Sequence, residues 1–227
     1  MTALLAGATG LIGREVARHW TGPGPLHLLV RTVRTARTAR TSPQAGAPLL
    51  REHVVDFSAL PPLPTAQMAF CCLGTTIKVA GSQAAFRAVD FDAVLHFARA
   101  AQRAGVRRFG VVSALGASAK SSSFYNRVKG EMEDELQRLG FATLVIARPS
   151  LLAGDRASLG QPQRIGERIT LAVTAPLAAF IPKAWRPIQA AVVARALLRA
   201  VADGAHGADG AAAVQILESG ALQDLGA

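Results

Sequence analysis

The sequence predicts an α/β fold with a doubly wound parallel sheet, and two observations support it. Short apolar runs alternate along the chain with longer helical patterns, as in sheets whose strands are joined by helical crossovers. The first apolar run, Leu4–Ala6, is followed at once by Gly7-Ala-Thr-Gly10-Leu-Ile-Gly13 and then by a helical pattern ending at Trp20. In such sheets a strand, a glycine turn and a helix N-terminus form an anion-binding site, which is typical of a Rossmann-type fold.

Each glycine of the first turn has its own expected task. Gly7 would allow the tight turn, Gly10 would let the backbone approach a pyrophosphate, and Gly13 would let helix and strand pack closely. The spacing is G-x-x-G-x-x-G, not the more general G-x-G-x-x-G. A glycine-rich turn in another kind of α/β domain remains the alternative.

The later elements follow the same alternation, and 227 residues are too few for two ordinary domains with linkers. We therefore expect a single NAD(P)-binding domain over residues 1–227. The predicted strands are Leu26–Val30, His53–Asp56, Gln67–Cys72, Phe109–Val112, Ala142–Ala147 and Val214–Leu217. The predicted helices are Gln83–Ala104 and Tyr125–Leu139, with a final helical turn at Ala221–Leu225.

The end of the second strand bears on the choice between NAD and NADP. An acidic residue there would hold a ribose 2′-hydroxyl, whereas arginine accommodates a 2′-phosphate. Here Arg31 directly follows the strand, and Arg34 lies three residues further on. The next acidic residue after the strand is Glu52. Charge-assisted guanidinium–phosphate contacts favour NADP(H). The alternative is a merely solvated Arg31. Asp56, at the third strand's end, is expected near the adenine, or else as a helix N-cap.

Tyr125-Asn-Arg-Val-Lys129 places a phenol and an ammonium one helical turn apart, on one helix face. The ammonium favours the ionised phenol, which can then donate or accept the proton that accompanies hydride transfer at a carbonyl. Ser113 follows the apolar run Phe109–Val112, at the carboxyl end of a strand, where ligands bind in open parallel sheets. Its hydroxyl could orient a substrate carbonyl.

The glycine motif followed by Ser113, Tyr125 and Lys129 resembles the short-chain dehydrogenase/reductase superfamily in its extended or atypical branch. Three further stretches are similar to the Tat-interacting oxidoreductases and their bacterial relatives: Phe70–Thr76, Lys120–Glu131 and Arg148–Arg156. The resemblance covers nearly the whole chain. It implies a Rossmann fold and NADP(H) binding, and it implies catalysis less firmly, because some members of this branch are known as binding or regulatory proteins.

The resemblance and the turn chemistry together give the expected site. The catalytic residues would be Ser113, Tyr125 and Lys129. The cofactor-binding residues would be Gly7, Thr9, Gly10, Leu11, Ile12, Gly13, Arg31, Arg34, Asp56, Leu73, Gly74, Thr75, Tyr125, Lys129 and Pro149. In the family the segment after the sixth strand closes over the substrate, which places residues 150–188 on the substrate side. Extended members often carry asparagine where this chain has Asp90. If Asp90 replaces a group of a proton relay, slow turnover is expected; the alternative is that Asp90 only caps or orients a neighbour.

Composition limits the other function classes. The net charge is +10, but lysines are only four of the 25 basic residues and no aromatic side chains are interleaved for base stacking, so no nucleic-acid partner is expected. Residues 170–181 are mostly apolar but too short to span a bilayer. Cys71 and Cys72 are adjacent, without metal-like spacing, and are expected to be reduced. With no signal peptide recognised, these features predict a cytoplasmic protein without metal.

Three function classes stay open at this stage. The first is an NADP(H)-dependent oxidoreductase of a small carbonyl or alcohol. The second is an NADPH-binding regulator that binds a protein partner. The third is a sugar-nucleotide epimerase or dehydratase, which is disfavoured because the segment after Pro149 is short for the substrate domain those enzymes usually need.

Overall fold

The computed structural model describes residues 1–31, 49–153, 182–204 and 213–227. Seven parallel strands form one sheet, in the order β3-β2-β1-β4-β5-β6-β9. Their bounds are β1 Ala3–Ala6, β2 Leu26–Val30, β3 Leu50–Val54, β4 Met68–Cys71, β5 Arg108–Val112, β6 Thr143–Arg148 and β9 Ala213–Glu218. The strand order reverses beside β1, so the carboxyl ends of β1 and β4 border the crevice where ligands bind in open α/β sheets.

The helices are α1 Leu11–His19, α2 Ile77–Ala80, α3 Gln83–Arg87, α4 Ala93–Arg103, α5 Phe124–Arg138, α6 Ala190–Asp203 and α7 Ser219–Gly226. They cover both faces of the sheet. Helices α1 and α6 pack on one face and α4 and α5 on the other, as alternate β1 residues show: Leu5 belongs to the first core layer and Leu4 to the second. The doubly wound parallel sheet predicted from the sequence is confirmed.

The predicted helix Gln83–Ala104 is interrupted by a π-helical turn. This turn, Ala88–Asp92, joins α3 to α4. It carries Asp90, whose side chain is fully buried. Single π-helical turns inside α-helices occur frequently at functional sites, and here the turn lies beside α5 and the loop after β4.

A small second sheet joins the two described ends of the expected substrate-side segment. It pairs β7 Leu152–Ala153 in parallel with β8 Ile188–Gln189. The Ser150 hydroxyl also donates to the Arg186 carbonyl oxygen at 2.5 Å. The two ends therefore lie side by side after β6. Most of the segment expected at 150–188 falls outside the described residues.

Two expectations differ from the structure. The third strand is Leu50–Val54, not His53–Asp56, so Asp56 lies beyond the strand's end. Among the described strands this one pairs with β2 alone, and it carries the charged residues Arg51 and Glu52, so an apolar run marks it poorly. Helix α6 has no counterpart among the predicted elements, although its alanine, valine and leucine residues have the composition of a buried helix.

Candidate cofactor and active site

The turn between β1 and α1 depends on two glycines. Gly7 has a φ of +82°, and a Cβ there would lie 2.4 Å from the backbone of Cys72. A Cβ on Gly13 would lie 2.1 Å from the Gly7 carbonyl oxygen. Real Cβ atoms do not approach backbone this closely. The sequence therefore folds β1, α1 and the end of β4 against each other only because side chains are missing at both positions.

Gly10, at the N-cap of α1, is different, because a Cβ there would have room. Its nearest protein atoms would be the Gly7 oxygen at 3.5 Å and the Cys72 oxygen at 4.0 Å, both ordinary contacts. Its backbone is extended and unstrained, with φ −78°. Since packing does not require this glycine, the space beside it is available to a ligand. Among the other expected contacts in this turn, Thr9 is exposed, Leu11 is half-buried and Ile12 is buried.

Asp90 and Lys129 form a buried ion pair at the centre of the candidate site. The Lys129 Nζ lies 2.8 Å from the Asp90 Oδ1, and the side chains are 3% and 1% exposed. The second oxygen, Oδ2, accepts a 2.8 Å hydrogen bond from the Thr75 backbone N–H. One carboxylate thus joins the π-helical turn, helix α5 and the loop after β4.

Burial and charge act on Lys129 in opposite directions. Burial disfavours the ammonium, but the Asp90 carboxylate and then Tyr125 outweigh it, so the pKa of Lys129 is raised above its usual value. Lys129 is therefore charged at neutral pH. A Cβ on Gly74 would lie 3.4 Å from Asp90 Oδ1 and 3.9 Å from Lys129 Nζ, so Gly74 lies directly against the pair.

Tyr125 lies in the first turn of α5, one turn before Lys129. Its ring packs against Phe86 of α3, with the ring centroids 5.3 Å apart. Phe86 is fully buried, while Tyr125 is only partly buried. The core therefore supports one side of the Tyr125 ring and leaves part of the residue accessible.

Ser113 directly follows β5 and is 5% exposed. Its backbone N–H donates to the Ala147 carbonyl oxygen at 2.7 Å, which holds the residue against β6. Its hydroxyl oxygen is buried and has no hydrogen-bond partner among the described residues. A buried hydroxyl without a partner at the carboxyl edge of a parallel sheet is suited to a ligand that supplies the partner.

The loop after β5 rests directly on helix α5 at Gly130. A Cβ there would lie 2.1 Å from the Ala119 backbone nitrogen and from the Ser118 carbonyl carbon. Gly130 directly follows Lys129, so the close approach fixes the loop that begins at Ser113 against the helix that carries Tyr125 and Lys129. Sequence reasoning missed this glycine, although a glycine directly after the lysine was a visible signal.

A second buried carboxylate anchors α5 one turn further on. Glu133, 2% exposed, pairs with Arg148 of β6 through two contacts, of 3.1 Å and 2.5 Å. Arg148 also binds Glu218 at the end of β9 at 2.9 Å. The hydrogen bonds that Arg148 donates to Glu133, and those it donates to Glu218, raise the pKa of Arg148 and outweigh the opposing effect of burial. This arrangement fixes α5 to the carboxyl edge of the sheet.

Arg31 and Asp56 follow the neighbouring strands β2 and β3, and both are exposed. The Asp56 Oδ1 accepts hydrogen bonds from the Ser58 hydroxyl and backbone N–H, at 2.7 Å and 2.8 Å, and these bonds lower its pKa. No helix begins directly after Asp56, so the expected helix N-cap is not formed, and its side chain closes a turn on Ser58 instead. Arg34 lies outside the described residues.

Two more expected residues border the site in different ways. Pro149 is buried after β6, and its carbonyl oxygen accepts from the Leu115 N–H at 3.0 Å, so it joins the loops after β5 and β6. Leu73 is half-buried after the end of β4.

Cys71, the last residue of β4, lies close enough to Lys129 and Asp90 for their charges to act on it. Burial raises the pKa of Cys71 to about 12, so its thiol is neutral and is not a nucleophile.

Sequence comparison identifies the family. The chain is 33% identical over 184 residues to protein HTATIP2 of Rattus norvegicus, covering 78% of this chain and 70% of that protein. It is 31% identical over 166 residues to the mitochondrial protein FMP52-1 of Scheffersomyces stipitis, covering 69% of each. The chain belongs to the atypical short-chain dehydrogenase/reductase superfamily. No protein-family model matches it.

The superfamily comprises NAD(P)-binding oxidoreductases and epimerases, and the fold agrees with this membership. The oxidoreductase ylbE of Lactococcus lactis superposes with a TM-score of 0.63 at 16% identity, covering 99% of this chain and 96% of that one. At this identity the likeness supports the fold alone. The Rossmann-type architecture and the family resemblance predicted from the sequence are both confirmed.

The expected cytoplasmic location is wrong by the same comparison. Superfamily relatives from several fungi are named mitochondrial proteins. Free cysteines argue only against an oxidising compartment and do not distinguish among reducing ones. Within the described ranges, no helix combines the length and apolarity needed to cross a membrane.

Proposed function

We propose that this member of the superfamily is an NADP(H)-dependent oxidoreductase that acts on a small carbonyl or alcohol. The observation that carries the proposal is the buried, charged Lys129, one helical turn after the partly accessible Tyr125 and with Gly74 directly against it. A phenol with an ammonium behind it, at the carboxyl edge of a parallel sheet, is suited to proton transfer at a carbonyl oxygen.

The residues present fit the cofactor. The space at Gly10 lies at the N-terminus of α1, where free backbone N–H groups favour phosphate. The exposed Arg31, which directly follows β2, would hold a 2′-phosphate. Lys129 would hold the hydroxyls of the nicotinamide ribose, and the loop Leu73–Thr75 would border the same part of the cofactor.

The residues divide the chemistry among them. When bound, the nicotinamide supplies or accepts the hydride. Ser113 orients the substrate carbonyl by donating its hydroxyl, which accounts for a buried oxygen without a partner among the described residues. Tyr125 gives its proton to the carbonyl oxygen during reduction and takes it back during oxidation, with the ammonium of Lys129 one helical turn away.

The substrate would enter from the side of residues 150–188. Their described ends are held together by the β7–β8 pair, directly after Pro149. We propose that residues 1–227 act as one NAD(P)-binding domain in which this segment provides the specificity, as expected from the family pattern.

A cofactor-binding regulator is the second candidate, and one observation favours it. The Lys129 ammonium is already engaged by Asp90 at 2.8 Å, so a carboxylate competes with any ligand for that charge. Such a protein would bind NADPH in the same cleft and turn it over slowly. NADPH binding would then control its interaction with a protein partner.

A turnover panel tests the proposal. The purified protein would be given NADPH with small aldehydes and ketones, and NADP+ with the corresponding alcohols, while absorbance at the nicotinamide band and product formation are followed. The proposal expects turnover of at least one pair in both directions, and loss of that turnover in Ser113→Ala and Tyr125→Phe. NADPH binding without consumption by any substrate would support the regulator instead.

A further inference from the structure

Asp90 is held by two different elements, through an ion pair on one carboxylate oxygen and a hydrogen bond on the other. Lys129 approaches Oδ1 from helix α5, and the Thr75 N–H approaches Oδ2 from the loop after β4. The carboxylate is fully buried on the π-helical turn. Both donors belong to residues that the proposed function places against the cofactor.

Only a carboxylate can satisfy this arrangement. Its two oxygens both accept, whereas the amide of an asparagine has one accepting oxygen and one donating nitrogen. An asparagine at position 90 would leave either Lys129 or the Thr75 N–H facing another donor. In a buried site, a charged donor without its partner is costly. The chemistry therefore distinguishes aspartate from the asparagine that extended members of the superfamily often carry.

We infer that Asp90 is a positioning residue of the proposed active site: its two oxygens fix the Lys129 ammonium and the loop Leu73–Thr75 in one geometry. The inference rests on the proposed function for its catalytic consequence. Asp90 needs no contact with the substrate to act, because it works through Lys129 on one side and through the Thr75 backbone on the other.

The surrounding charges agree with such a role. The titratable groups that act on Lys129 are Asp90 on the π-helical turn, Tyr125 on α5 and Cys71 on β4. Asp90 supplies the largest effect that favours the ammonium, against burial. Without it, burial would dominate and Lys129 would lose its proton at lower pH.

The test compares Asp90→Asn with a matched control, Glu133→Gln. Both change a buried carboxylate that pairs with a cation into an amide of nearly the same size, and Glu133 lies one turn after Lys129 on the same helix. Both variants are expected to lose stability. Only Asp90→Asn removes the partner of Lys129. An effect on activity that arises merely from lost stability should therefore appear in both variants, whereas an effect through Lys129 should appear in Asp90→Asn alone.

The first readout is the pH profile of NADPH affinity and of turnover. In Asp90→Asn the alkaline limb of both profiles should move to lower pH by about one unit or more, since one raising effect on the ammonium is lost. We expect kcat at pH 7 to fall roughly 10²-fold, the scale of a misplaced catalytic group, with a smaller change in KM. Glu133→Gln should keep the wild-type limb.

The second readout needs no cofactor, so it separates this inference from the proposed function. The chain has four lysines, and nitrogen-15 labelling should show a slowly exchanging ammonium signal for the buried Lys129, assigned by its loss in Lys129→Met. The Thr75 amide should exchange slowly with solvent. Asp90→Asn should lose the ammonium signal and speed Thr75 exchange, whereas Glu133→Gln should retain both.

Each outcome decides the matter. A wild-type ammonium signal and a protected Thr75 amide, both lost only in Asp90→Asn, support the positioning role even if no substrate consumes NADPH. An unchanged alkaline limb with wild-type kcat in Asp90→Asn overturns it, as do equal shifts in Glu133→Gln. If Asp90→Asn fails to fold, absence of the Lys129 signal or of Thr75 protection in the wild type overturns it, and their presence supports it.

Discussion

The carbonyl oxygen of Gly7 lies so close to Gly13 that a Cβ on Gly13 would be 2.1 Å from it. The first strand and helix α1 are thus in contact without an intervening side chain. Gly10, between the two, has no such neighbour. The three glycines of one motif therefore divide into two that the fold requires and one that only a ligand would require.

This division predicts opposite results for two substitutions. Gly10→Val should leave the protein folded and abolish NADPH binding, because its side chain fills space that the protein does not use. Gly13→Ala should destabilise the fold, by about 1–3 kcal/mol or more, the usual cost of overpacking. Thermal unfolding and NADPH titration measure the two effects. Normal NADPH affinity in Gly10→Val would show that the cofactor binds elsewhere.

The turn and the strand ends were accessible to sequence reasoning for a physical reason. Parallel strands buried on both faces are continuous apolar runs, so β1, β2 and β5 are visible as such. The edge strand β3 is only partly buried and mixes charged with apolar residues, which hides its bounds. Asp56 was misplaced together with it.

The site itself was only partly predictable. Spacing places Tyr125 and Lys129 on one helix face, but it does not contain the distance from Asp90 to Lys129, because these residues lie on different elements. The same holds for Gly130, whose importance depends on a loop that folds back from β5. Contacts between residues far apart in the sequence leave no local periodic pattern, so sequence patterns do not predict them.

The choice of cofactor is tested at Arg31. We predict that NADPH binds at least tenfold more tightly than NADH, which corresponds to a difference in binding free energy on the order of 1.4 kcal/mol. The exposed guanidinium at the end of β2 can pair with a 2′-phosphate, which NADH lacks. Arg31→Ala should weaken NADPH binding and leave NADH binding nearly unchanged. Fluorescence titration of both cofactors measures this, and equal affinities in the wild type would contradict it.

The histidine pair on β2 and β3 predicts a loss of stability in acid. His27 is 6% exposed, its Nδ1 lies 2.7 Å from the His53 Nε2, and burial, then His53 and Arg51, lower its pKa. A lowered folded-state pKa means that the unfolded chain binds more protons, so stability falls as pH drops from about 6.5. The thermal midpoint of the wild type should decrease from pH 7 to pH 5.

Replacing the buried histidine checks the cause. His27→Gln removes the titrating group, so its thermal midpoint should depend less on pH across the same interval. His96→Gln, at an exposed position on α4, serves as the control and should keep the wild-type slope. Equal flattening in both variants would mean that the acid sensitivity does not arise at the His27–His53 pair.

The last prediction separates an oxidoreductase from a regulator at Tyr125. Tyr125→Phe removes only the phenolic oxygen and keeps the ring packed on Phe86. It should reduce turnover roughly 10²-fold or more, the usual scale for losing a general acid, with little change in NADPH affinity.

Lys129→Ala should impair both turnover and binding, because Lys129 acts on the phenol and on the ribose. If the protein is a regulator, no carbonyl will consume NADPH and Tyr125→Phe will alter neither cofactor affinity nor partner binding. Steady-state kinetics and cofactor titration on the same preparations distinguish these cases. Wild-type turnover that survives Tyr125→Phe would be the most damaging result, since the proton would then come from a group other than Tyr125.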